Sequence, residues 1–182
     1  MIPARYEMAK YEDVPKEIRD LFEKIKESGK GIYIYGAVGT GKTHIAYALK
    51  AKYDGVEPQI PYAMFCNTTK LLHDIRQDFD KSREQKDFWD DEVTKHEYLL
   101  ILDDVGSEKI SDWVSETFYL IVNERYNHMR PTIFTSNLPL KALSERIGDK
   151  TTSRIVEMCD VVELDGIDRR VKNLPKRIKI KV

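Results

Sequence analysis

Eight residues, Gly36-Ala37-Val38-Gly39-Thr40-Gly41-Lys42-Thr43, constrain this chain more than any other stretch, because they match GxxxxGK[ST]. The run Gly31-Ile32-Tyr33-Ile34-Tyr35 before them reads as a buried strand, and His44 to Leu49 after them as a helix. Strand, glycine-rich loop and helix in that order form a phosphate-binding loop. Glycine lets backbone N–H groups turn inward around a phosphate, and the helix N-terminus adds donors and a favourable dipole. Lys42 then reaches the β- and γ-phosphates, and the Thr43 hydroxyl ligates magnesium. Gly36 through His44 are accordingly the predicted nucleotide contacts. A glycine-rich turn without a ligand does not explain a lysine and a threonine placed together at a helix start.

With 182 residues the chain has room for one domain and at most a small appendage. No run approaches the roughly 18 apolar residues of a membrane span. Met1 to Glu7 lacks the apolar core of a secretion signal. Cys66 and Cys159 lie far apart and form no metal-ligand pattern, so they read as free thiols of a cytoplasmic protein. Thirty lysines and arginines against 31 acids leave a net charge of -1, which favours no class of partner. Asp74 to Glu92 is dense in both signs, whereas Arg169 to Val182 carries bases and no acid. A nucleic-acid partner therefore needs a local patch.

Along the chain, residues 1–15 read as an extended lead-in, since Pro3 and Pro15 disfavour helix before them. Ile18, Leu21, Phe22 and Ile25 predict a helix stopped at Ser28-Gly29. Ile60 to Cys66 predicts a strand, and Asn67 or Thr68 caps a helix carrying Leu71, Leu72, Ile75 and Phe79. Tyr98 to Leu102 is apolar throughout, as a central parallel strand is, and ends in Asp103-Asp104. A helix over 112–129 is predicted with Trp113, Thr117, Leu120 and Ile121 on one face. Pro131 to Asn137 predicts a further strand, then a short helix with Leu143 and Ile147, a helix capped by Thr152 or Ser153, and a last strand over 161–164. Strand and helix alternate about five times, which predicts an α/β fold: a central, mainly parallel five-stranded sheet flanked by helices. Residues 177–182 alternate with period two and read either as a short added strand or as a basic tail.

Two carboxylates at a strand end complete a hydrolytic site. Asp103 holds magnesium, directly or through water, and Asp104 orients and polarises the attacking water. The alternative is that both acids only begin a loop. Asp104 is one methylene shorter than the more usual glutamate. The Asn137 amide reaches the γ-phosphate or the same water, or else serves as a turn former.

At this level the chain resembles the AAA+ ATPases of the bacterial helicase-loader group, including the related transposon-associated ATPases. The resemblance rests on Tyr35 through His44, Leu99 to Gly106, Asn123-Glu124-Arg125-Tyr126, Pro131 to Leu138, Gly148 to Arg154 and Gly166 to Arg170. It covers about residues 3–171, with 172–182 left as a tail or strand. It implies a P-loop NTPase of the AAA+ type that hydrolyses ATP with magnesium. Asp103 then matches the magnesium-side acid, Asp104 the catalytic acid and Asn137 the polar sensor. Arg154 matches the arginine finger that acts on ATP held by a neighbouring subunit, and Arg170 a second sensor arginine, with Arg169 as its rival. Arg154 and Arg146 are otherwise surface arginines.

The implied partners are a replicative helicase, single-stranded DNA and further copies of the chain assembled on ATP, with no membrane. Too few residues follow Arg170 for a substantial helical lid. Lys70, Arg76, Lys81, Arg83 and Lys86 are candidate phosphate contacts, and Phe79, Phe88 or Trp89 stack on a base or fill the core. Two other readings share this catalytic core: a transposition helper on double-stranded DNA, and a nucleotide-gated assembly module with little turnover. A small-molecule kinase is disfavoured by the Thr-Ser-Asn strand end.

Overall fold

The computed structural model describes residues 2–55, 63–78, 93, 99–166 and 168. Two 3-10 turns, Ala4–Tyr6 and Tyr11–Asp13, precede α1 (Lys16–Ser28). Then follow β1 (Gly31–Tyr35), α2 (Lys42–Asp54), β2 (Met64–Asn67), α3 (Thr68–Asp78) and β3 (Leu100–Val105). The C-terminal half carries α4 (Asp112–Asn127), β4 (Thr132–Ser136), α5 (Leu140–Ile147), α6 (Asp149–Met158) and β5 (Cys159–Glu163).

Among the described residues five strands form one parallel sheet, in the order β2-β3-β4-β1-β5. Because β4 lies between β1 and β3, the ends of these three strands sit side by side. The phosphate loop, Asp103-Asp104 and Ser136-Asn137 are thereby drawn to one edge, where open α/β sheets place their ligands. Alternation along the strands divides the core. Ile32, Ile34, Ile101 and Ile133 pack with α1 and α2 on one face. Tyr33, Leu100, Leu102 and Phe134 pack with α4, α5 and α6 on the other. Among the described residues no helix is long and apolar enough to cross a membrane.

Several expectations shift. The lead-in is not extended: its two turns lie along α2, with Val14 in the core and Tyr6 stacked on Tyr47 at 4.6 Å between ring centroids. The buried face of α4 is Phe118, Ile121, Val122 and Arg125, while Leu120 is 57% exposed. The apolar pattern misled there because an arginine occupies a core position. Arg125 donates from Nε to the Thr132 hydroxyl at 2.7 Å, and from its terminal nitrogens to the carbonyls of Val93 at 3.1 Å and Pro131 at 2.9 Å. Burial pushes its pKa down to about 9, so the guanidinium keeps its charge at neutral pH. The helix assigned to a Thr152 or Ser153 cap begins at Asp149, separated from α5 only by Gly148, and the Thr152 hydroxyl donates to the Gly148 carbonyl. Cys66 and Cys159 are free thiols, and burial raises the Cys66 thiol to about 11. The Ile60 end of the second predicted strand, Phe79, and the residues from 171 onward lie outside the described residues.

Candidate nucleotide site

A cavity of about 540 Å³ opens at the C-terminal ends of β1, β3 and β4. Val38, Gly39, Gly41, Lys42, Thr43, His44, Asp103, Asp104 and Asn137 line it, together with Arg5, Tyr6, Asn67 and Thr135.

The loop side follows from two left-handed glycines. Gly41, at φ 105°, is the residue from which α2 starts, and Gly39 has φ 81°. A Cβ on Gly39 would lie 1.8 Å from the carboxylate oxygen of Asp168, and the left-handed backbone there strains any residue but glycine. Lys42 is buried, and its ammonium donates to the carbonyls of Gly36 and Ala37, each at 2.7 Å. The ammonium is thus held at the mouth of the loop.

Asp103 is 6% exposed and accepts hydrogen bonds from the Thr43 hydroxyl at 3.0 and 3.2 Å and from the Thr135 hydroxyl at 2.6 Å. Burial raises its pKa, and the two hydroxyls and Lys42 offset part of that shift. Thr43 and Asp103 together present the hard oxygen donors that magnesium takes.

Asp104 presents a problem of direction, since successive strand residues face opposite ways. Its backbone solves it. Asp104 has φ 62°, and the β3–β4 register shifts between Leu102 and Val105. This bulge-like irregularity turns the second carboxylate toward the same cavity as the first. The Asp104 amide donates to the Thr135 hydroxyl at 2.9 Å, and its carboxylate accepts from the Asn137 amide at 2.9 Å.

Sequence reasoning missed Thr135, which holds both acids: its hydroxyl donates to one and accepts from the backbone of the other. The signal was its place one alternation after Ile133 on β4. Arg5, Tyr6 and Asn67 were also missed, because only the packing of the lead-in and β2 brings them to the cavity. Glu108 was missed as well: buried and raised in pKa by that burial, it accepts from the Gly106 amide at 2.9 Å and anchors the loop leaving β3.

Arg154 lies apart from this cavity, on α6 against α4. Arg146 donates to the Glu108 carbonyl at 2.8 Å. Of the proposed DNA contacts, Lys70 pairs with Asp74, and the Arg76 guanidinium sits 5.7 Å from the centre of the Trp113 ring. Lys81, Arg83, Lys86, Phe88, Trp89, Arg169 and Arg170 lie outside the described residues.

A parallel sheet in this order, with a phosphate loop after β1, paired acids on β3 and a polar end on β4, defines a P-loop domain of the AAA+ type. More narrowly, the chain belongs to the IstB-like ATP binding protein family, which it matches over residues 6–176. It is 26% identical over 171 residues to the replicative helicase loader DnaI of Bacillus subtilis, covering 85% of this chain and 53% of that protein. It is 28% identical over 181 residues to an insertion-sequence ATP-binding protein of Sinorhizobium fredii, covering 89% of this chain and 71% of the relative. A crystal structure of the DnaC helicase loader superposes with a TM-score of 0.78 at 29% identity, over 90% of this chain and 100% of that one. The chain thus spans about half the length of DnaI.

Proposed function

We propose that the chain is the magnesium-dependent ATPase of a helicase loader. It binds single-stranded DNA, engages a replicative helicase in the cytoplasm, and assembles through ATP sites shared between copies. The observation that carries this reading is the convergence of Lys42, Thr43, Asp103, Asp104 and Asn137 on one cavity, while Arg154 sits elsewhere on the surface of the same subunit.

Each side chain has a task there. Lys42 leaves the loop carbonyls for phosphate oxygens and neutralises their charge. Thr43 and Asp103 would hold magnesium, which supplies Lewis-acid stabilisation of the phosphates. Asp104 orients the attacking water and draws on its proton, and Asn137 fixes the Asp104 carboxylate through its amide while facing the γ-phosphate. Arg154 of an adjoining copy neutralises the charge developing on the transferred phosphoryl group. Arg170 senses the nucleotide in its own subunit.

The likeness to DnaI and DnaC favours the loader. The likeness to an insertion-sequence protein across nearly the whole chain favours a second reading, a transposition helper acting on double-stranded DNA. Fluorescence anisotropy with labelled single- and double-stranded oligonucleotides, with and without ATP, separates the two. The loader reading predicts ATP-dependent binding that favours single strands, and a preference for duplex transfers the assignment to the helper.

A further inference from the structure

We infer that Asn123, Tyr119 and Tyr126 of α4 are positioning residues that present Arg154 to the ATP site of a neighbouring subunit, an inference that rests on the shared-site reading above. Arg154 is held on three sides. Its Nε donates to the Asn123 side-chain oxygen at 2.9 Å, one terminal nitrogen donates to the Lys150 carbonyl at 3.0 Å, and the other donates to the Tyr119 hydroxyl at 3.4 Å. Its guanidinium carbon lies 5.1 Å from the centre of the Tyr119 ring and 5.6 Å from that of Tyr126, both within the range of cation–π attraction.

A guanidinium carries five N–H groups in a rigid fork. The three contacts occupy the Nε–H and one N–H on each terminal nitrogen, which leaves one further N–H on each terminal nitrogen for a phosphoryl group. A free arginine side chain loses rotamer entropy when it is fixed. The α4 cage has already fixed this one before a neighbour arrives, which is what a group acting at a transition state requires. Helix adhesion alone does not call for it, because Phe118, Ile121 and Val122 of α4 and Ile155 and Met158 of α6 already share one apolar cluster.

Mixing subunits separates positioning from folding. A Lys42→Ala subunit loses its own ATP site but keeps its Arg154, and an Arg154→Ala subunit keeps the site but lacks the finger, so the two together restore turnover. As donor, Lys42→Ala/Asn123→Ala is expected to restore at least about ten-fold less than Lys42→Ala alone. Lys42→Ala/Tyr119→Ala behaves the same way, whereas Lys42→Ala/Tyr119→Phe, which keeps the ring, restores most of the rate. As acceptor, Asn123→Ala/Arg154→Ala is restored in full by Lys42→Ala. Equal losses in donor and acceptor, or full rescue by the Asn123→Ala donor, overturn the positioning role and leave the shared site standing. If Lys42→Ala and Arg154→Ala do not restore each other at all, the shared site falls and the positioning role falls with it.

Discussion

A left-handed backbone costs a non-glycine residue about 1–2 kcal/mol, and aspartate tolerates it better than most. Asp104 bears this cost at the point where the sheet register slips, and what results is a pair of carboxylates facing one cavity. Asp104→Asn keeps the shape and the bond to Asn137 but loses the carboxylate charge proposed to act on the attacking water. Its turnover is expected to fall about 100-fold or more, with ATP affinity held within a few-fold, measured by steady-state hydrolysis beside equilibrium nucleotide binding. Asp104→Glu is expected to retain turnover.

Asp103 shows the opposite balance. Burial raises its folded pKa above the ordinary carboxylate range. Between the unfolded and folded values the native state therefore binds more protons, and stability falls as pH rises through that window. Above it, an ionised buried carboxylate is a standing cost that the Thr135 and Thr43 hydroxyls and Lys42 offset only in part. Asp103→Asn is accordingly expected to stabilise the nucleotide-free protein by about 1 kcal/mol and to abolish magnesium-dependent hydrolysis. Thermal unfolding at neutral pH checks the first half, and a lower melting temperature would contradict it.

At the scale of elements, Arg125 joins α4 to the start of β4 and to Val93. Removing it leaves the Pro131 and Val93 carbonyls and the Thr132 hydroxyl short of a buried donor. Arg125→Met, similar in length but without donors, is expected to lose about 3 kcal/mol of stability in urea titration with an unchanged slope. Little or no loss would mean that the cation is not what joins these elements. The same residue explains where sequence reading failed. Hydropathy places an arginine outside, so the expectation groups Leu120 with Ile121 on one face, whereas Ile121 is buried beside Arg125 and Leu120 is exposed. Boundaries drifted for a similar reason at α6, where Thr152 looks like a cap but bonds back to Gly148 from within the first turn. The strands were legible because β1, β3 and β4 are buried along nearly their whole length and read as unbroken apolar or Thr-Ile-Phe-Thr runs. The phosphate loop and both acids were legible because their chemistry is local in sequence. Thr135, Arg5, Tyr6 and Asp168 were not, because only the strand order and the return of the chain bring them to the loop.

For the molecule as a whole, the nucleotide cavity and Arg154 lie on different parts of the chain, and the proposed shared site has assembly bring the two together across a junction between copies. The most direct measurement is ATP hydrolysis per subunit as a function of protein concentration, with mass determined in parallel by light scattering. The shared-site account predicts that the rate per subunit rises with concentration in step with ATP-dependent oligomers, and that Arg154→Ala removes the rise while still binding ATP. A rate per subunit that stays flat across a monomeric range, and is the same in Arg154→Ala, would contradict it.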